Sequence, residues 1–174
     1  MTYSNFKQQL DNSVACQQLL IPFYENAAYE GRFVFMEKDR KYNSEIVDIV
    51  QNAGCDTVLQ TKRGAIGIEE KFRAAWTRKK EDLAFETWSC TVPTREKRGW
   101  GFTSKADFLN YIFVMDKYLD CFLIEMKKLR QLYEEGKENW NIIRTNQINR
   151  TESALIPLFN IKTVIGYYNK KLPI

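Results

Sequence analysis

The stretch from Cys55 to Phe72 constrains the fold of this chain more than any other. It reads CDTVLQ, Thr61, Lys62-Arg63-Gly64 and then AIGIEEKF. Cys55–Gln60 begins as a strand, Lys62-Arg63-Gly64 suits a turn, and Ala65–Phe72 resumes as a strand. Successive side chains on a strand point to opposite faces. Gly67, Glu69, Lys71 and Arg73 therefore share a polar, cationic face. Ile66, Ile68, Glu70 and Phe72 share a mostly apolar one. Asp56, at the start of the first strand, reaches the Glu69 face through the hairpin.

The rest of the chain reads as alternating helices and strands. Residues 7–30 carry Leu10, Val14 and Leu19 at helical spacing, with a break near Pro22. RFVFME (Arg32–Glu37) suits a strand. Ser44 caps a helix through Ile46, Val47 and Val50 that stops at Gly54. LAFETWSC (Leu83–Cys90) is a strand with Glu86 and Trp88 on one face and Leu83, Phe85 and Thr87 on the other. Ser104 and Asp107 form an S-x-x-D helix start, with Leu109, Ile112 and Phe113 as the apolar face that follows. Tyr118–Ile124 is expected to be the last strand and Met126–Asn139 a charged helix. The tail, Leu155–Tyr168, is expected to return to the core. This order predicts an α/β (α+β) class fold with one central mixed β-sheet flanked by helices. No repeat, linker or composition shift divides the 174 residues, so one domain over residues 1–174 is expected.

Composition removes several function classes. There is no histidine, so Ser-His-Asp and Cys-His nucleophile systems and HxE zinc deaminases lack their base or ligand. Cys16, Cys55, Cys90 and Cys121 lie far apart with no CxxC pair, which reads as buried free thiols and not a zinc site. No apolar run approaches the roughly 18 residues that cross a bilayer. The opening MTYSNFKQQLDNS is polar and lacks a signal-peptide core. The expectation is an intracellular, cytoplasmic protein with no membrane partner.

Net charge is only +4, but the cations cluster. Thr61 to Lys80 holds seven of them (Lys62, Arg63, Lys71, Arg73, Arg78, Lys79, Lys80) against Glu69 and Glu70. Arg95, Lys97, Arg98 and Lys105 form a second group. Clustered cations beside a few acids suit a phosphate polymer, and each cluster taken alone also suits a solvated surface. Arg73, Arg78, Lys79, Lys80, Arg95, Lys97 and Arg98 are the candidate nucleic-acid contacts.

With histidine absent, catalysis falls to carboxylates, lysine, hydroxyls or a bound ion. Mg²⁺ prefers carboxylate and water oxygens and keeps several waters. Asp56 and Glu69, a strand apart, can hold it, with the Glu70 backbone carbonyl and water completing the shell. Such an ion polarises a phosphate and lowers the pKa of a bound water. Lys71, two residues from Glu69, can orient that water or stabilise developing charge.

The pattern Asp56-x12-Glu69-x-Lys71 resembles the PD-(D/E)xK nuclease superfamily. The run Leu83–Cys90, then Gly99-Trp100, then ADFLNYIF around Asp107 is similar to small members of phages and bacterial mobile elements. The resemblance covers roughly Arg32 to Ile124 and leaves the ends unmatched. Cys55 stands where the family name has proline. The resemblance implies a restriction-endonuclease-like fold and hydrolysis of DNA phosphodiester bonds with Mg²⁺ or Mn²⁺. Asp56 and Glu69 would be metal ligands, Lys71 the catalytic lysine and Glu86 an accessory acid. A homodimer is a further expectation, since many such enzymes cut two strands as dimers.

Several readings stay open. Glu86 is either a second-metal ligand or the partner of a nearby lysine. Trp76 and Trp100 either stack on an unpaired base or pack against the fold. Tyr29 and Glu30 are candidates for an early helical contribution to the site. A catalytically silent nucleic-acid- or protein-binding module on the same fold is the alternative to the enzyme.

Overall fold

The hairpin is present. β2 (Thr57–Thr61) and β3 (Gly64–Ala74) pair antiparallel from Thr57 opposite Ile68 to Thr61 opposite Gly64. Gly64 leaves the turn at φ +122°, a conformation that glycine adopts without a Cβ clash. The structure is a computed structural model that describes residues 19–20, 24, 32–36, 54–61, 64–145, 149–163 and 167–173. The expected helix after Ser44, Cys16, and Tyr29 and Glu30 lie outside the described residues. So does most of the early helical region, of which Leu19, Leu20 and Tyr24 are described and helical.

Ahead of the hairpin, β1 (Arg32–Met36) pairs antiparallel with β2, as its aromatic, apolar sequence predicts. After it come a one-turn helix α1 (Ala75–Arg78), β4 (Asp82–Cys90), a 3-10 turn at Pro93–Arg95, β5 (Lys97–Arg98) and a short helix α2 (Trp100–Thr103). β6 (Phe108–Val114), β7 (Tyr118–Glu125) and helix α3 (Met126–Gly136) follow. The chain continues as β8 (Asn141–Thr145), β9 (Thr151–Pro157), helix α4 (Leu158–Thr163) and β10 (Tyr167–Pro173).

The α+β class holds, but the expected single sheet does not. A six-stranded sheet runs β1-β2-β3-β6-β7-β10, and a four-stranded sheet runs β5-β4-β9-β8. The first sheet is mixed, because β3 and β6 are parallel while its other pairs are antiparallel. β4 therefore does not extend the hairpin sheet. Its apolar face (Leu83, Phe85, Thr87) is buried against the first sheet from outside.

The segment after Ser104 is a strand and not the expected helix. Phe108–Val114 is aromatic and branched, and it is buried on both faces. Leu109, Tyr111 and Phe113 enter one core with Phe85, Phe122, Leu129 and Ile156. Ile112 enters the other core with Leu20, Tyr24, Leu59, Ile68 and Leu119, against which Phe108 and Val114 pack. Burial of both faces gives a nearly continuous apolar run, which periodicity alone cannot tell from a helix. Nor is Tyr118–Ile124 the last strand, since β8, β9 and β10 follow. The tail does return to the core through Ile156, Leu158 and Ile161.

Two details of packing fix the site's surroundings. The Tyr111 hydroxyl accepts the Ala84 backbone N–H at 3.1 Å, tying β4 to β6. On α3, Arg130 donates to the carbonyl of Gly101 at 2.7 Å and to that of Ser104, holding the α2–β6 connection in place. Among the described residues no helix is long and apolar enough to cross a membrane.

Candidate active site

Asp56 and Glu69 meet because of the hairpin register. The last printed pair of the hairpin, Thr57 with Ile68, brings Asp56, just ahead of β2, beside the stretch of β3 that carries Glu69. The Asp56 backbone N–H donates to the Ile68 carbonyl at 2.8 Å, and the Asp56 Oδ2 accepts the Glu70 backbone N–H at 2.7 Å. Lys71 projects on the same face as Glu69, as alternation requires, and its Nζ donates to Glu69 Oε1. Lys71 Nζ also lies 3.4 Å from the Glu70 carbonyl oxygen. The two acids, the ammonium and that carbonyl thus come together within one hairpin.

The Glu69 carboxyl is only 5% exposed. Burial holds its pKa above the ordinary carboxylate value, and the neighbouring Asp56 charge adds to the rise. The Lys71 ammonium, together with hydrogen bonds from Lys71 and Ser104, opposes it. A second positive charge beside Glu69 would relieve the same strain.

The Glu70 side chain points to the opposite face. Its Oε1 accepts from the Tyr24 hydroxyl at 2.8 Å and from Thr57 Oγ1 at 2.9 Å. Asn110 Nδ2 donates to the Tyr24 oxygen at 2.7 Å. Only the backbone carbonyl of Glu70 belongs to the Glu69 side, which is the part the sequence assigned to an ion.

Glu86 stands elsewhere. It lies on β4, in the second sheet, and its Oε1 accepts from the Ser89 hydroxyl and from the Trp100 N–H at 3.4 Å. A Cβ at Gly99 would fall 2.3 Å from the Glu86 carbonyl oxygen, so a glycine is required for this close turn. Among the described residues no hydrogen bond or ion pair joins Glu86 to Asp56, Glu69 or Lys71.

The two cation clusters fare differently. Arg73 donates from Nε to the Tyr111 hydroxyl at 2.9 Å and lies over that ring. Arg78 donates to the buried Asp120 at 2.8 Å and lies over Phe113 and Phe122. Both guanidinium groups are engaged within the protein. Lys79 and Lys80 are exposed beyond the far end of β3, five strand positions and more from Glu69, or roughly 16 Å by strand rise. Arg95, Lys97 and Arg98 are exposed in the segment leading to Trp100. Trp100 itself is buried, with Lys71 Nζ 5.7 Å from its ring. The second cluster thus leads to Trp100, over which Lys71 stands, whereas Arg73 and Arg78 of the first are turned to Tyr111 and Asp120.

Sequence reasoning missed three neighbours. Asp107 Oδ2 accepts the Gly67 N–H at 2.8 Å while its own N–H donates to the Gly67 carbonyl at 2.9 Å. That clamp seats β6 against β3 two residues before Glu69. Ser104 donates to the Gly54 carbonyl at 2.7 Å, where Gly54 adopts φ +67°. Cys55 fills the space above Gly67, where an added Cβ would meet its sulfur at 2.7 Å. Burial pushes the Cys55 thiol up to about 11, and the charges of Glu69, Asp107 and Asp56 add to the rise. It therefore stays protonated at neutral pH, neither nucleophile nor thiolate ligand. Cys90 and Cys121 are likewise buried and in no disulfide. The S-x-x-D spacing of Ser104 and Asp107 reads as a helix start and hides their role, since both act through pairings distant in sequence.

Comparison with protein-family models, with curated proteins and with solved structures returned no match. The site's chemistry therefore rests on its geometry.

Among the described residues no three Asp, Glu, Cys or His side chains come together as a metal cage. The available donors are the Asp56 and Glu69 carboxylates and the Glu70 carbonyl. That all-oxygen set fits Mg²⁺ or Mn²⁺ and not zinc.

Proposed function

We propose that this chain is a metal-dependent nuclease of the PD-(D/E)xK kind that hydrolyses DNA phosphodiester bonds. The observation that carries the reading is that Asp56 is bonded to the backbone of Ile68 and of Glu70, on either side of Glu69, while Lys71 is bonded to Glu69. The mixed six-stranded sheet that contains the hairpin lends the reading support at the level of the α+β class.

Asp56, Glu69 and the Glu70 carbonyl would hold Mg²⁺ or Mn²⁺. When bound, that ion supplies phosphate polarisation and a water of lowered pKa. The protein's own groups do the rest. The Glu70 N–H holds the Asp56 carboxylate in position. The burial of Glu69 excludes competing water from its face. Lys71 is half-buried beside the acids, so its ammonium can orient an attacking water and meet charge developing on the phosphate.

The test is cleavage of single-stranded, nicked and duplex DNA with Mg²⁺ or Mn²⁺. Wild-type protein cleaves at least one form, and Glu69→Ala and Lys71→Ala abolish cleavage with folding retained. Retention of activity in both variants overturns the assignment.

One observation favours a silent binding module instead. Glu69 already has a cationic partner in Lys71, and Asp107 and Glu86 are engaged with Gly67 and with the Gly99–Trp100 turn. Calorimetry with Mn²⁺ separates the readings, because the module binds no ion at Asp56 and Glu69.

A further inference from the structure

Four described arginines place their guanidinium groups on acceptors of the protein itself. Arg73 donates to Tyr111, Arg78 to Asp120, Arg130 to the Gly101 and Ser104 carbonyls, and Arg144 to Glu152. Arg98 differs. Among the described residues its guanidinium makes no hydrogen bond or ion pair. Its central carbon lies 4.5 Å from the centroid of the Trp88 ring and 4.5 Å from that of Phe102. Arg98 is nonetheless exposed, with its neighbour Lys97.

The rings that hold it are themselves fixed. Phe102 meets Phe85 edge-on at 5.4 Å and Tyr133 edge-on at 5.4 Å. Phe85 in turn meets Trp100 at 5.6 Å, and Lys71 stands over Trp100. Arg98 and Lys71 are thus two cations seated on one aromatic cluster. The same segment continues to Ser104, whose hydroxyl donates to the Gly54 carbonyl, and to Lys105, which is exposed.

A guanidinium seated over two rings, with no acceptor of the protein taking its hydrogen bonds among the described residues, keeps its N–H donors for an outside acceptor. Those donors match two phosphate oxygens at once, and the stacked geometry lowers the ordering cost of the long side chain. We propose that Arg98 is the phosphate-gripping arginine of this site and that it binds the sugar-phosphate chain of a nucleic acid alongside Lys71. The inference rests on the nuclease reading and adds to it the path of the substrate, along Lys97, Arg98 and Lys105 and away from Arg73 and Arg78.

The experiment is fluorescence anisotropy of labelled single-stranded and duplex oligonucleotides without divalent ion, so that no cleavage intervenes. Affinity is followed against salt for wild type, Arg98→Ala, Arg98→Lys and Arg144→Ala, and melting temperature checks that each variant is folded. Arg98→Ala is expected to weaken binding about tenfold and to make the salt dependence shallower by about one phosphate contact. Arg98→Lys restores the salt dependence but only part of the affinity, because an ammonium cannot bind bidentately. Arg144→Ala, which removes an equal charge on the second sheet, stays within about twofold of wild type. An unchanged salt dependence in Arg98→Ala, or an equal loss in Arg144→Ala, overturns the proposal. If wild type also cleaves DNA with Mn²⁺, the nuclease reading survives that failure. Wild-type protein that neither binds nor cleaves nucleic acid sinks both.

Discussion

The carboxylate of Asp56 accepts the backbone N–H of Glu70 at 2.7 Å. This bond holds the acid that opens β2 against the strand that carries Glu69, so the position of one candidate ligand is written into the backbone of the other. Asp56→Asn keeps an acceptor for that N–H and loses the charge. It should leave the melting temperature nearly unchanged and abolish Mn²⁺ binding in calorimetry. Asp56→Ala loses the bond as well and should cost an additional ~1–2 kcal/mol in urea unfolding. Tight Mn²⁺ binding by Asp56→Asn would exclude Asp56 as a ligand.

Glu69 carries a pH signature. Its pKa is raised in the folded protein, first by burial. Its contribution to stability is therefore complete below the ordinary carboxylate range and is lost as pH rises through the folded value. Glu69→Gln lacks that ionisation. Denaturant unfolding at pH 4 and pH 7.5 should show the variant gaining on wild type as pH rises. A gap that stays constant between the two would mean that Lys71 offsets the whole cost of burying the charge.

Cys55 reports on the same acids from the inside. With its thiol at about 11, alkylation should be slow at pH 8 and rise steeply only well above pH 9. Removing the nearest charge with Glu69→Gln should speed labelling of Cys55, measured by mass spectrometry of the modified peptide, and leave Cys121 unaffected. Wild-type Cys55 that labels at the rate of a free thiol would contradict both its burial and its acidic surroundings.

Tyr24 ties a helix to the other side of β3. Its hydroxyl donates to Glu70 and accepts from Asn110 in a fully buried setting. Tyr24→Phe keeps the ring and deletes the oxygen, which removes one donor from a buried carboxylate and leaves the Asn110 amide without that acceptor. The cost should be ~2–3 kcal/mol, at the upper end for a hydrogen bond, because polar groups are left buried. A loss below about 0.5 kcal/mol would show that the network rearranges around the gap.

What could be read from the sequence was local. The 55–72 hairpin, β1, β4 and α3 follow from alternation, turn residues and charge placement, each within a short window. The facing of Glu69 and Lys71 opposite Glu70 follows from the strand period alone. The rest depends on contacts between distant segments. Phe108–Val114 looks helical because apolar residues fill both its faces, and only its pairing with β3 and β7 shows the strand. Asp107 resembles a helix cap by spacing, whereas its carboxylate goes to Gly67. Glu86 sits on the correct strand face but in another sheet, and Arg78 looks solvated until Asp120 is brought to it.

The pairing of β3 with β6 joins Gly67 to Asp107 across forty residues of chain. A parallel neighbour of this kind cannot form by a simple turn. It must wait until the intervening strands have been made and folded out of the way, and closing so long a loop is slow. During synthesis, both hairpin acids emerge well before the partner that walls in Glu69. The hairpin alone can bring the acids together, but Glu69 gains its neighbour Leu109 on the other side only when the two ends of that long detour meet.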